Sequence, residues 1–169
     1  AVFYQYMGEN YKNNAKRSCK MDKPAFGSDP SGGKDRYREA AIHGTPQFPL
    51  RIYENNFDWY ADNIIDWHWH PEVEFVLVEN GTADFFVGSS RYVLNTGEAI
   101  FINTQVIHRF ESSESTIIPN MVFSPLLIAA ENSLIYRKYI KPVLMSSVEC
   151  LIISPTDEKQ CEMLDTIRN

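Results

Sequence analysis

Cysteine is scarce in this sequence. Its three cysteines, Cys19, Cys150 and Cys161, are odd in number and far apart, which argues against a disulfide framework or a zinc knuckle. None sits in a motif, so idle thiols and a reducing cytosol are expected. No apolar run comes near the ~18 residues of a membrane span. The first residues, "AVFYQYMGENYKNN", lack the charged start and apolar stretch of a signal peptide. Basic charge is also short, with 16 Lys and Arg against 22 Asp and Glu and a net charge of −6. A domain that grips nucleic acid usually carries a basic face. Here the basic residues crowd into the first forty positions, Lys12, Lys16, Arg17, Lys20, Lys23, Lys34, Arg36 and Arg38, around "KPAFGSDPSGGKDR". That setting reads as a solvated extension, and this chain on its own is expected to bind DNA poorly.

The 169 residues suffice for one domain with a sizeable core, and 44% apolar with 13% aromatic residues suits a β-rich interior. Residues 1–44 read as an extension or arm, with a short helix in "GGKDRYREAAIHG" ending near Gly44. Eight short strand candidates then follow in close succession, at 48–54, 64–70, 72–79, 82–88, 90–95, 98–103, 106–112 and 116–124. Asn80-Gly81 and Gly88-Ser89 look like hairpin turns, and Asn95-Thr96-Gly97 closes another. This spacing predicts an antiparallel sandwich or barrel over 45–130. The pattern changes over 131–169. A helix, interrupted at Pro142, is expected in "AAENSLIYRKYIKPVL", and a last strand in "VECLIISP". A final helix is expected with Ser154 as N-cap and Pro155 at its first position. Cys161, Leu164 and Ile167 form a stripe on that helix, suited either to a partner or to the barrel of the same chain. The helix runs to the last residue without a cap signal, so a longer parent protein is expected.

The chemistry concentrates in "DWHWHPEVEFVLVENG", Asp66 to Gly81. On a strand, side chains alternate with period two, so His68 and His70 face one side and Glu74 shares their parity. His108 lies on a later strand. Three imidazoles and a carboxylate suit zinc, nickel, manganese or iron(II). The same four residues could equally hydrogen-bond a small polar ligand, or only one another. Trp67 and Trp69 have the opposite parity and should pack outside the barrel. Trp59 could lid its mouth. Glu72 is a second inward carboxylate, costly to bury unless something satisfies it. Arg51 is its candidate partner, and Arg51, Tyr53 and Glu72 form a second tier of ligand-binding residues.

His68-x-His70-x3-Glu74-x6-Gly81 resembles the first motif of the cupins, and Gly97-x10-His108 resembles the span of the second. The resemblance implies a mainly β chain, a cupin-type double-stranded β-helix or jelly-roll barrel followed by C-terminal helices. In metal-bearing cupins these three histidines and the glutamate are the metal ligands. The second motif departs from the pattern, with Asn103 and Gln105 where proline and glycine are usual. From about residue 45 onward, including "MVFSPLLIAAENSLIYRKYIKPVL", the sequence also resembles the N-terminal sensor domain of AraC-type transcription regulators. That resemblance implies a cytoplasmic effector-binding and dimerization domain that is not an enzyme. It implies a small-molecule effector of the sugar class, a homodimer, and contact with DNA only through a helix-turn-helix half that nothing in this sequence resembles. The runner-up is a metal-dependent cupin enzyme, an isomerase or a dioxygenase.

Overall fold

The computed structural model describes residues 34–156 and 158–168. Among the described residues, nine strands form two antiparallel sheets. The first sheet has the order β1-β8-β3-β6-β9, from Leu50–Asn56 (β1), Ile117–Phe123 (β8), Val73–Leu77 (β3), Ala99–Ile102 (β6) and Cys150–Ile153 (β9). The second has the order β2-β7-β4-β5, from Ile64–His68 (β2), His108–Glu111 (β7), Thr82–Val87 (β4) and Ser90–Asn95 (β5). Only β4 and β5 are sequence neighbours that pair, through the turn at Gly88-Ser89. Every other neighbouring pair among the first eight strands crosses between the sheets, which is the jelly-roll path.

This path corrects two of the expected hairpins. Asn80-Gly81 and Asn95-Thr96-Gly97 carry the chain from one sheet to the other. Gly81 is needed at its turn. Its φ is +88°, and a Cβ there would stand 2.4 Å from Thr116 Oγ1.

Strand alternation sorts the apolar residues into two cores. Facing between the sheets are Val76, Phe85, Val87, Leu94, Ile100, Ile102, Phe110 and Ile118, together with Phe57 from the turn after β1. On the outer face of the five-stranded sheet, Leu77, Ala99 and Ile153 meet Leu164 and Ile167 of the helix Glu158–Arg168. Two of the three stripe residues, Leu164 and Ile167, therefore pack against the chain's own barrel, while the Cys161 thiol donates to the Pro155 carbonyl. The helix starts at Glu158, because Pro155 and Thr156 form a turn and the Ser154 N–H donates to Gln160 Oε1 at 2.8 Å. A second outer cluster of Val73, Phe101 and Phe123 takes Leu144 from the preceding helical run.

That run is not broken at Pro142. The turn before it, Tyr136–Ile140, opens to π-helical spacing and passes directly into the turn Lys141–Leu144. The wider turn makes room for a proline ring that lacks a donor and crowds the carbonyl behind it. The helix expected near Gly44 is a single 3-10 turn, Lys34–Tyr37. Beyond it the chain runs along the barrel, bridging Arg38 to Trp69. The charged cluster of the first 33 residues and the aromatics of the extreme N-terminus lie outside the described residues. No described helix is long and apolar enough to cross a membrane.

Candidate metal and ligand site

Four side chains converge inside one end of the barrel. His68 comes from the end of β2, Glu74 from β3, His108 from the start of β7, and His70 from the link between β2 and β3. One donor atom from each lies within 4.8 Å of the others. The local backbone explains the convergence. His68 stands opposite His108, and a register shift between Ile65 and His68 lets both residues face inward. Glu74 shares its face with Val76, which is buried between the sheets. The ring centroids of His68 and His108 are 4.1 Å apart, and those of His70 and His108 5.2 Å.

Hydrogen bonding fixes the tautomers. His68 Nδ1 lies 2.7 Å from the Asp66 carbonyl oxygen, and His108 Nδ1 lies 2.8 Å from that of Val106. A carbonyl only accepts, so each Nδ1 carries the hydrogen and donates it. In the neutral rings each Nε2 then presents a lone pair to the cluster, as a metal-binding imidazole does. His108 Nε2 is buried without a hydrogen-bond partner, 3.1 Å from Glu74 Oε2. His70 Nε2 is 3.3 Å from the same oxygen. Electron-rich atoms this close call for a proton or a cation between them. Three imidazole nitrogens with one carboxylate oxygen suit zinc, nickel, manganese or iron(II) better than calcium or magnesium, which prefer all-oxygen shells. The side chains present thus fit a divalent transition metal.

The electrostatics leave His68 and Glu74 in the forms that bind a metal. Burial, with the neighbouring His108, holds His68 down to about 4, so it is neutral at pH 7. Burial also pushes His70 down, but the hydrogen bond and charge of Glu74, with Glu39 and Glu72, lift it above the ordinary value. Burial alone would raise Glu74. The imidazoles of His108 and His70, facing it at 3.1 and 3.3 Å, overcome this and hold it well below the usual carboxylate range. Glu74, 1% exposed, is an anion sealed from water.

Its other oxygen is also engaged. Asn120 Nδ2 on β8 donates to Glu74 Oε1 at 2.5 Å. Asn55 Nδ2 on β1 donates to Asn120 Oδ1 at 2.8 Å, and the Tyr60 hydroxyl donates to Asn55 Oδ1 at 2.5 Å.

The second tier divides. β1 pairs with β8 so that Tyr53 stands opposite the inward Asn120 and Arg51 opposite Val122. Tyr53 is half-buried beside the site, whereas the Arg51 guanidinium is exposed and lies over the Tyr53 ring at 5.5 Å. Glu72 is not paired with Arg51 as expected. Its Oε2 sits 3.8 Å from His70 Nδ1, and neither atom has a hydrogen-bond partner.

Sequence reasoning missed the fourth histidine, His43, and Glu39. Both belong to the segment read as an arm. Backbone bonds from Glu39 N–H to the Trp69 oxygen and from Trp69 N–H to the Tyr37 oxygen, each 2.9 Å, lay this segment beside the link that carries His70. His43 Nδ1 is 2.8 Å from the Tyr53 hydroxyl, its Nε2 is 3.3 Å from Glu39 Oε2, and its ring is 5.2 Å from His70. Burial raises Glu39, but His43 and the charges of His68 and His70 leave it below its ordinary value. No periodic signal marked these residues. The one usable hint was the i, i+4 pairing of Glu39 with His43.

Trp69 is buried under this segment, with the Arg38 guanidinium 5.5 Å over its ring. Trp67 packs edge-on against Phe86 on the outer face of the second sheet. Trp59 is exposed on the turn Phe57–Trp59, at the end of β1 away from Arg51, so it does not cover the mouth.

Comparison with known proteins agrees on the fold. The model of the cupin domain matches residues 61–119. Among curated proteins, the chain is 24% identical over 134 residues to the uncharacterized HTH-type transcriptional regulator YdeC of Bacillus subtilis (strain 168). That match takes in 78% of this chain but 45% of the regulator, so the chain spans under half of its relative's length. Similar solved structures include a conserved protein of unknown function, SPY1581, from Streptococcus pyogenes. It is 20% identical at a TM-score of 0.41, over 46% of this chain and 66% of that one. Another is an RmlC-like cupin from Shewanella frigidimarina, 17% identical at a TM-score of 0.41, over 45% of this chain and 67% of that one. The chain has the cupin jelly-roll fold, mostly β, with a helix after the barrel.

Proposed function

We propose that this chain is the sensing part of an AraC-type transcriptional regulator of the cytoplasm. The observation that carries the regulatory reading is the relative, which pairs a region like this one with a helix-turn-helix regulator. The observation that carries the sensing reading is the cluster of His68, His70, Glu74 and His108 inside the barrel. These four side chains would hold a divalent transition metal. A small polar metabolite of the sugar class approaches beside it, against Tyr53, Glu72 and the Arg51 guanidinium. When bound, the ion would supply a Lewis-acidic anchor for an oxygen of the effector. The chain's own residues exclude water and orient the effector. Effector binding must favour one of two arrangements of the C-terminal helices to influence a DNA-binding half. Those helices also serve the homodimer.

The test has two arms. Elemental analysis of protein prepared without an affinity tag or chelator should find a transition metal at up to one per chain, lost in His68→Ala. Calorimetric titration of the metal-loaded protein with pentoses and hexoses should give saturable binding, lost in His70→Ala. Metal without sugar binding would sink the effector class, and neither would sink the sensing reading. A second reading, a metal-dependent isomerase or dioxygenase, draws on the same donor set. Oxygen consumption or sugar isomerisation by the loaded protein would favour it.

A further inference from the structure

The buried chain Tyr60–Asn55–Asn120–Glu74 has a direction, and that direction is forced. An ionised carboxylate only accepts, so Asn120 must turn its NH2 group to Glu74 Oε1. Its carbonyl then faces Asn55, which must present its own NH2. The Asn55 carbonyl in turn leaves the Tyr60 hydroxyl a single role, to donate. Every donor points toward the carboxylate, and each bond polarises the next. The elements involved are rigid. Asn55 lies on β1 and Asn120 on β8, paired strands, with both side chains buried. Tyr60 caps the 3-10 turn after β1 through its N–H to the Phe57 carbonyl. None of the three belongs to the histidine–glutamate motif.

We infer that Asn120, Asn55 and Tyr60 form a positioning relay that occupies Glu74 Oε1 and leaves Oε2 alone to face His70 and His108. Asn120 is the positioning residue in direct contact, and the other two act through it. The relay rests on the metal reading and deepens it. An engaged Oε1 disfavours two-oxygen ligation, so the carboxylate contributes one oxygen to three imidazole nitrogens. That set selects cobalt, nickel, zinc, manganese or iron(II) against calcium, which takes carboxylates through both oxygens.

The probe is Co(II), read by titration calorimetry and by its ligand-field absorption, with Ca(II) as competitor. Asn120→Leu keeps the approximate shape and cannot donate. It should weaken Co(II) binding about 10- to 100-fold, as loss of a ligand's outer partner does, and shift the absorption bands. Tyr60→Phe removes only the last donor and should weaken binding by about 10-fold or less, at or below the bottom of that range. Unfolding of the metal-free variants is measured in parallel, so Tyr60→Phe keeps the test alive if Asn120→Leu does not fold. If the parent binds Co(II) and the folded variants match it in affinity and spectrum, the relay is only structural and the inference fails. If the parent binds no metal at all, the metal reading fails first and takes the relay with it.

Discussion

The two ends of the barrel bury polar groups in opposite ways. At the end away from the histidines, the Ser112 hydroxyl donates to the Thr82 carbonyl at 2.7 Å, and the single Thr116 hydroxyl hydrogen is shared between that carbonyl, at 3.1 Å, and Ser112 Oγ, at 2.9 Å. These groups are neutral and mutually satisfied. At the site end, His43 Nε2, His70 Nδ1, Glu72 Oε2 and His108 Nε2 are buried with no hydrogen-bond partner. The same fold thus closes one polar layer completely and leaves the other seeking a cation or donor. A buried orphan costs free energy, so its concentration at one end points to binding there rather than to loose packing.

Breaking the site end should give the largest effect. Glu74→Leu removes the central anion and is expected to reduce Co(II) affinity at least about 100-fold, beyond the effect of losing an outer partner. Thr116→Val at the closed end should leave that affinity unchanged, and calorimetry compares the two. Phe85 and Phe110, whose centroids are 4.8 Å apart, belong to the apolar layer between the ends. Phe85→Ala should cost about 3–5 kcal/mol in denaturant unfolding and weaken both ends together. Gly81→Ala should cost about 1–3 kcal/mol, through a left-handed backbone pressed against Thr116. At the closed end itself, Thr116→Val should cost about 0.5–1.5 kcal/mol, the net worth of one hydrogen bond, because Ser112 still donates to the Thr82 carbonyl.

The smallest effect is one of pH. Burial is the first cause that pushes both Tyr53 and Tyr60 up to about 12. A raised folded value means that the native state holds the proton more tightly. The stabilisation is complete below about pH 10, the ordinary tyrosine value, and is lost as pH rises through the folded value of about 12. Thermal unfolding should show a decline across that window, shallower in Tyr60→Phe.

Strand positions were open to reading because alternation and turn residues are local. β5 fell where expected, at Ser90–Asn95, and the other strands within a few residues. His68, His70 and Glu74 were grouped by the same parity, although β2 ends at His68, and His108 was added from the resemblance to the second cupin motif. What stayed hidden was pairing. A turn sequence such as Asn80-Gly81 is the same whether its strands pair or part between sheets. Asn55, Asn120 and Tyr60 carried no visible signal, since an amide reads as surface until its strand partner is known. The helix expected near Gly44 gave way to extended chain, because the backbone of Trp69 offered Tyr37 and Glu39 better bonds than a short helix could.

The pairing of β8 with both β1 and β3 has a kinetic consequence. Asn120 and His108 reach Glu74 only when distant chain segments close, so the binding site is absent from partly folded forms. Such long-range closure slows folding, on the order of milliseconds to seconds for β-rich domains of this topology. An ion added during refolding should therefore leave the folding rate little changed and act mainly by slowing escape from the finished barrel.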